Sequence, residues 1–236
     1  MTVSLLSLDV MSTTSISQCY PFTLGFHLDS INPSLLPLSL QILPFNSSNI
    51  INIPIPINAL SKNTVSISFI PFPAGTSFIA AFQDNTNSTH GSITNIIQIQ
   101  PSSNSSCLQQ QQQLLPYAIH GNISQCNSFN LTYNNSLVTQ PPQVRAFSPQ
   151  GYSLTLNLTN QPTNDIATYL MAANQADDVI LLFDDLQGHR QTTSLLDIGP
   201  NNPSNNSTNC VPYNLLPSTP PSSSSSGLSK FVLLPL

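Results

Sequence analysis

Ser17-Gln18-Cys19-Tyr20-Pro21-Phe22-Thr23-Leu24-Gly25-Phe26 returns 107 residues later as Ser124-Gln125-Cys126-Asn127-Ser128-Phe129-Asn130-Leu131-Thr132-Tyr133. Ser-Gln-Cys, Phe, Leu and a closing aromatic stay in register. A match of this kind predicts two copies of one module, each with a cysteine near its start. Later landmarks recur in the same order. Pro37 to Pro44 (PLSLQILP) matches Pro142 to Pro149 (PQVRAFSP) at an offset of 105. Ser77 to Asp84 (SFIAAFQD) matches Asp178 to Asp185 (DVILLFDD) at 101, and Ile96 to Pro101 matches Leu195 to Pro200 at 99. Each copy closes on a polar run ending in cysteine, at Cys107 and Cys210, an offset of 103. Offsets that drift between fixed landmarks are what loop insertions and deletions leave in a shared fold.

A repeat of roughly 100 residues is the size of a whole domain, far longer than a solenoid unit. The expected organisation is an N-terminal segment 1–16, a first β-sandwich 17–108, a Gln-rich linker 109–115, a second β-sandwich 116–213 and a Ser/Pro-rich stalk with a short apolar tail 214–236. Apolar residues make up 39% of the chain, enough for two cores of that size. Only 6% are charged, with no Glu and no Trp, against about 25% charged in ordinary soluble domains. Such a surface relies on hydroxyls, amides or attached glycans for solubility. A net charge of −5 with four dispersed basic residues argues against nucleic acid, which needs a basic face, and against an anionic membrane surface.

The secondary structure reads as strands. Thr64 to Phe69 (TVSISF) and Tyr152 to Thr159 (YSLTLNLT) alternate apolar and polar residues, the period of a strand with one buried face. Shorter apolar runs stand at Leu38 to Leu43, Ile50 to Ile57, Phe78 to Phe82, Ile96 to Ile99, Val179 to Phe183 and Leu195 to Ile198. Twenty-one prolines leave little room for long helices. Only Asn164 to Asp177 offers a helical turn or two, with Ile166, Ala167, Leu170 and Ala173 on one side. About six or seven short strands per module, separated by polar turns, predict an all-β chain of two tandem immunoglobulin-like antiparallel β-sandwich domains.

Four cysteines permit three pairings, and the repeat selects one. Each copy carries its first cysteine before the first strand and its second after the last, so Cys19 is expected to pair with Cys107 and Cys126 with Cys210. Bridges over loops of this length stabilise each module by about 4 to 5 kcal/mol in the chain-entropy account. They imply an oxidising compartment, hence secretion or a cell surface. Zinc finds no C-x-x-C and no clustered histidine. Nine Asn-x-Ser/Thr sequons point the same way: Asn46, Asn87, Asn104, Asn122, Asn130, Asn134, Asn157, Asn205 and Asn206. Composition alone yields about six, so the excess is mild. Asn157, inside an alternating strand, can carry a glycan only if it faces solvent.

The ends read as incomplete signals. Met1 to Ser17 has no Lys or Arg, and its apolar stretch is broken by Asp9. Pro217 to Gly227 (PSTPPSSSSSG) is of the kind that forms O-glycosylated stalks. Phe231 to Leu236 falls short of the roughly 20 apolar residues that span a bilayer, and of a glycolipid-anchor tail. The expectation is a chain cut short at both ends, attached to a membrane only through a segment missing from it.

Chemistry-bearing motifs are few. The chain has no G-x-S-x-G, H-E-x-x-H, G-x-G-x-x-G or P-loop. Asp177-Asp178 and Asp184-Asp185 are the only carboxylate clusters, with His189 close behind the second. Neighbours on a strand point to opposite faces, so neither pair makes a dyad by itself. Asp184, Asp185 and carbonyls of the Gln187-Gly188 turn are a thin beginning for the six to eight oxygens calcium needs. His27, His90, His120 and His189 share no spacing and read as loop residues. No catalytic residue and no cofactor is expected.

Two Cys-bounded units opening Gln-Cys-x-x-Phe-x-Leu-x-aromatic, with a Pro-flanked strand, an apolar strand ending in Asp and a closing Ser/Asn-rich Cys, resemble the tandem extracellular domains of basidiomycete cell-surface proteins. More distantly they resemble the Ser/Thr-rich, wall-anchored fungal glucan-assembly family. The resemblance covers Ser17 to Cys210 and implies a non-enzymatic secreted or cell-surface glycoprotein with a structural, display or adhesion-like role. Its expected partners are another surface protein or wall polysaccharide. The alternatives are a polysaccharide-binding or wall-assembly module, for which the lack of Trp removes the usual stacking platform, and a hydrolase built on Asp184, Asp185 and His189.

Overall fold

The computed structural model describes residues 15–26, 36–84, 89–90, 93–108, 117–134, 136–160, 162, 165–185, 187–201 and 210–212. The expected linker 109–115, the stalk and tail 214–236, residues 1–14 and the sequons at Asn87, Asn205 and Asn206 lie outside that set. In the N-terminal half the elements are β1 (Ser15–Ser17), β2 (Phe22–Gly25), β3 (Ser39–Pro44), β4 (Ile51–Pro54), α1 (Ile57–Leu60), β5 (Thr64–Ile67), β6 (Ser77–Gln83), β7 (Thr89–His90) and β8 (Ile97–Gln100). In the C-terminal half they are β9 (Ala118–His120), β10 (Ser128–Thr132), β11 (Gln143–Phe147), β12 (Ser153–Thr155), β13 (Ile166–Leu170), β14 (Asp178–Asp184), β15 (Arg190–Thr192) and β16 (Leu196–Asp197).

These strands build an all-β chain of two β-sandwiches made of mainly antiparallel sheets. The N-terminal one sets the sheet β1-β8-β6-β3-β4, with β7 on β6, against the pair β2-β5. The C-terminal one sets β12-β11-β14-β15, with β16 on β14, against β13-β10-β9. Alternation explains the two-stranded pair: Leu24, Val65 and Ile67 face the core while Thr23 and Ser66 face out. The first core gathers Leu40, Ile42, Phe78, Ala80 and Phe82 with Phe26, whose ring meets Phe82 edge-on at 5.2 Å. The second gathers Val144, Ala146, Val179, Leu181 and Phe183 with Phe129 and Tyr169.

Register refines the landmark matches. Leu40 stands opposite Phe82 and Val144 opposite Phe183, so β3 and β11 correspond at an offset of 104 rather than the 105 of their flanking prolines. The difference is physical, because a one-residue slip exchanges the two faces of a strand and would put Arg145 in the place of Leu40. For β6 and β14 the offset of 101 holds, and Phe78 opposite Ile97 parallels Val179 opposite Leu196.

Three expectations need correcting. Ile166–Leu170, inside the segment expected to turn helically, is strand β13. Ala167 and Tyr169 alternate inward and all five residues pair with β10, and this tertiary pairing overrides the helical preference of an Ala-rich stretch. The one helix among the described residues is the single turn α1, at the end of a run read as strand, where Pro56 stands at the N-cap. Finally, Cys19 and Cys126 each follow a strand instead of preceding the first, because β1 lies parallel to β8 and β9 pairs with β10. The stretch 152–159 does not stay in one sheet: Ser153–Thr155 pairs with β11, and Leu158 bridges to Tyr169 of the opposite sheet.

Candidate functional site

The Ser-Gln-Cys corners come first because the sequence singles them out. In the N-terminal sandwich Ser17 lies parallel to Gln100, and the Gln18 N–H donates to the Gln100 carbonyl at 3.0 Å. In the C-terminal sandwich Ser124 bridges in parallel to Gly199, and the Gln125 N–H donates to the Gly199 carbonyl at 3.1 Å. Each buried glutamine then reaches across to the turn that feeds the central strand. Gln18 Oε1 accepts from the Ala74 N–H at 2.8 Å, and Gln125 Oε1 accepts from the Gln175 N–H at 3.4 Å. One residue further on, Gly75 and Ala176 both take positive φ, 87° and 63°, and both donate their N–H at 2.8 Å, to the carbonyl of Ile99 in β8 and of Ile198 just past β16. Cys19 and Cys126 themselves take φ of 56° and 57°. Cys19 bonds Cys107 with Cα atoms 5.4 Å apart, and Cys126 bonds Cys210 with Cα atoms 5.5 Å apart. The corner is thus a scaffold device that ties strand entry, turn and chain closure together.

The second feature is a seam between the sandwiches. Leu43, Ile79, Ala81 and Ile93 of the N-terminal half pack with Phe147, Ile180 and Leu182 of the C-terminal half as a third apolar cluster. Backbone bonds continue it: the Asn46 N–H donates to the Thr193 carbonyl and the Thr192 N–H to the Ser47 carbonyl, both at 2.8 Å. The Thr192 hydroxyl, fully buried, donates to the Pro44 carbonyl and accepts from the Ser47 N–H at 3.1 Å. At the far side the Gln150 N–H donates to the Thr94 carbonyl at 3.1 Å. The sequence carried a signal for this seam. The runs FIAAF and VILLF are apolar on both faces, and a strand with only one buried face would alternate.

Beside the seam sits the acidic corner. Arg145 is buried with its guanidinium 4.7 Å from the ring centroid of Phe147. Desolvation lowers its pKa to about 10, Asp184 opposes that shift, and Arg190 adds to it. Asp184 Oδ2 lies 2.7 Å from Arg190 Nε, an ionic contact whose N–H points off the line between them. Asp185, just past the end of β14, has partners of its own. Its Oδ2 meets His189 Nδ1 at 2.6 Å, and its Oδ1 accepts from the Gln187 and His189 N–H groups at 2.8 and 2.9 Å. Burial pushes the Asp185 carboxyl up, yet these hydrogen bonds outweigh it and hold the group below its usual pKa. Tyr117 shares this corner, its buried hydroxyl raised far above its usual range by desolvation and by Asp185 and Asp184.

Asp184 and Asp185 diverge, each with its own cationic or donor partners, and among the described residues no three His, Cys, Asp or Glu side chains gather as a metal set. Asp185 and His189 do meet, as the clamp of the β14–β15 loop. Among the described residues no side chain bonds the other ring nitrogen of His189. His120 bonds Thr132 at 3.1 Å on an exposed sheet face, and the side chains of His27 and His90 lie outside the description.

Two open clefts flank the seam. One of about 390 Å³ is lined by Ser48, Asn49, Ile50, Ile51, Pro71, Gly188 and Arg190. The other, of about 400 Å³, includes Asn95, Ser148, Gln150, Asp177 and Asp178. In the second, Asp177 accepts the Tyr152 hydroxyl at 2.5 Å. Of the described sequons, Asn46, Asn122, Asn130, Asn134 and Asn157 are exposed and Asn104 is half-buried.

No family model and no curated protein matches the chain. Among solved structures it is similar to the FN1–FN3 domains of chicken CNTN1, at 8% identity and a TM-score of 0.28. The match covers 84% of this chain and 65% of that one, so the chain spans just under two thirds of its length. No helix among the described residues is long and apolar enough to cross a membrane.

Proposed function

We propose that this chain is a duplicated, non-enzymatic extracellular module that displays itself, or a glycosylated stalk, as one rigid two-sandwich body. The pair of end-closing disulfides carries the reading, because bonds of this kind persist in oxidising compartments. The seam supports it. Domains in a chain normally move unless their interface is large and apolar, and here seven buried residues from both halves share one cluster. The surface of a fungal cell is the setting we propose, following the resemblance of the Cys-bounded units. Antibody labelling of intact cells, paired with thiol counting on the unreduced protein, tests the proposal. Surface label with no free thiol supports it; four free thiols on a cytosolic protein would end it.

A second reading is polysaccharide binding at the cleft beside Arg190. Ser48 and Asn49 offer hydroxyl and amide groups there, and Ile50, Ile51 and Pro71 an apolar wall. No aromatic ring lines it, so stacking affinity is absent from the lining. A glycan array probed with the whole chain decides this reading, and an array without hits removes it.

A further inference from the structure

We propose that the outer face of the β13-β10-β9 sheet is a glycan-bearing face, carrying N-linked oligosaccharides on Asn130 and Asn157, and that Asn104 stays bare because its side chain is part of the fold. This rests on the extracellular reading above and adds to it which surface the sugars cover.

The backbone register puts the two asparagines on one side. Asn130 stands opposite Thr168, and Phe129 opposite Tyr169. Phe129 and Tyr169 are buried, so Asn130 and Thr168 point outward. The chain crossing from the other sheet then lines the free edge of β13: Leu158 bridges to Tyr169, the Leu170 N–H donates to the Asn157 carbonyl at 3.1 Å, and the Thr159 N–H donates to the Thr168 carbonyl at 2.8 Å. Asn157 and Thr159 therefore share the outward side with Asn130 and Thr132. Two strand spacings separate the asparagines, roughly 10 Å laterally.

Their side chains are free where an attachment needs them free. Asn130 Oδ1 accepts the Thr168 hydroxyl at 2.9 Å, which orients the amide, while among the described residues Nδ2 has no partner. The Asn157 side chain is exposed and likewise unbonded among those residues. On the same face Ile166, opposite Thr132, stays open to solvent at 38%, an apolar side chain that the C–H face of a sugar can cover.

Asn104 is the opposite case. Its Nδ2 donates to the Cys19 carbonyl at 3.2 Å, and its Oδ1 accepts the Ser106 N–H at 3.0 Å and the Ser106 hydroxyl at 2.7 Å. Its carbonyl accepts Gln18 Nε2 at 2.9 Å. The residue sits three before Cys107, inside the closure of the first bridge. A glycan there would have to displace this set of bonds.

The modification is a transfer without redox change. Nδ2 of asparagine bonds to C1 of an oligosaccharide carried on a polyprenyl diphosphate, the C1–O bond to the diphosphate breaks, the lipid diphosphate departs, and Nδ2 gives up one proton. The Ser or Thr at the third sequon position is required for the acceptor.

Site-resolved glycopeptide mapping of the native, unreduced protein from its own host tests this without any variant. Expected are glycan mass at Asn130 and Asn157, none at Asn104, and an intact Cys19–Cys107 bridge. Thr132→Val and Thr159→Val should each remove one glycan step from the native protein's ladder on a gel, while Thr132→Ser keeps it. Glycans at other sequons with Asn130 or Asn157 bare, or a glycan on Asn104 with the bridge intact, overturn the inference and leave the extracellular reading standing. Free thiols with no glycan at any sequon overturn both.

Discussion

Truncating Phe147 to alanine should both weaken the fold and split its unfolding in two. The ring is fully buried in the seam, among Leu43, Ile79, Ala81 and Ile93 of the N-terminal half and Ile180 and Leu182 of the C-terminal half. A buried Phe covers about 150–250 Å². At ~25 cal/mol per Å², the part lost to alanine is worth about 3 kcal/mol before any cavity term. With a cavity left behind, Phe-to-Ala substitutions cost ~3–5 kcal/mol. Arg145 also loses the ring beneath its guanidinium, at 4.7 Å from the centroid, for about 0.5–2 kcal/mol more. The chain supplies its own two probes for a urea titration. It has no Trp, and Tyr117, Tyr133, Tyr152 and Tyr169 sit in the C-terminal sandwich against Tyr20 in the other, so tyrosine emission follows one half while far-ultraviolet circular dichroism follows both. The parent should give coincident transitions by the two probes; Phe147→Ala should separate them and lower stability by about 4–6 kcal/mol in total. Phe82→Ala, inside the first core, should leave tyrosine emission far less affected once the seam is already cut. A parent whose two probes already disagree, or a Phe147→Ala loss under about 1 kcal/mol, would refute the reasoning that the seam couples the halves.

Three further outcomes are expected. Replacing Cys126 and Cys210 together by serine should cost about 4–5 kcal/mol, since the bridge closes a loop of 84 residues; non-reducing calorimetry against the parent measures it, and a loss under ~1 kcal/mol contradicts it. Gln18→Ala should cost about 1–3 kcal/mol, because the buried Gln18 holds bonds of 2.8 and 2.9 Å; an unchanged urea midpoint would contradict this. Asp185 has a folded pKa below its unfolded one of about 3.9, so its contribution is present above that pH and lost as pH falls through the folded value. Asp185→Asn should therefore be destabilised at neutral pH and converge with the parent in acid, whereas a gap independent of pH would show that the carboxylate's charge does not matter.

Strand identity was legible wherever alternation or β-branched runs met Pro, Asn or Ser boundaries, as in Thr64–Ile67 and Ser77–Gln83. What misled was local. The Pro37/Pro142 and Pro44/Pro149 matches align the ends of β3 and β11 and conceal a one-residue slip that only the partner strand reveals, through Leu40 opposite Phe82 and Val144 opposite Phe183. Ala167 and Ala173 suggested a helix because propensity is a weak prior that strand pairing overrides. At the acidic corner, sequence spacing set Asp184 at the end of an apolar strand with Asp185 beside it. It could not show that Arg190 and His189 return on β15 and its loop to engage one each, since that depends on hairpin geometry rather than composition.

The seam ties these threads into one physical argument. A chain with 6% charged residues has little with which to keep an apolar sheet face in water. Each half, standing alone, would expose such a face: Leu43, Ile79 and Ala81 on one, Phe147, Ile180 and Leu182 on the other. Patches of that kind on an isolated domain invite association with whatever else is apolar. Packing the two faces on each other removes both liabilities at once, and the bonds from Asn46 and Thr192 to Thr193 and Ser47 fix the orientation in which this happens. Among the described residues the outward surface then mixes hydroxyls, amides and sequon asparagines, groups that can hold a weakly charged body in solution, with single exposed apolar side chains such as Ile57 and Phe69. The same distribution of residues that buries the runs of β6 and β14 on both faces thus leaves Asn46, Asn130 and Asn157 on the outside.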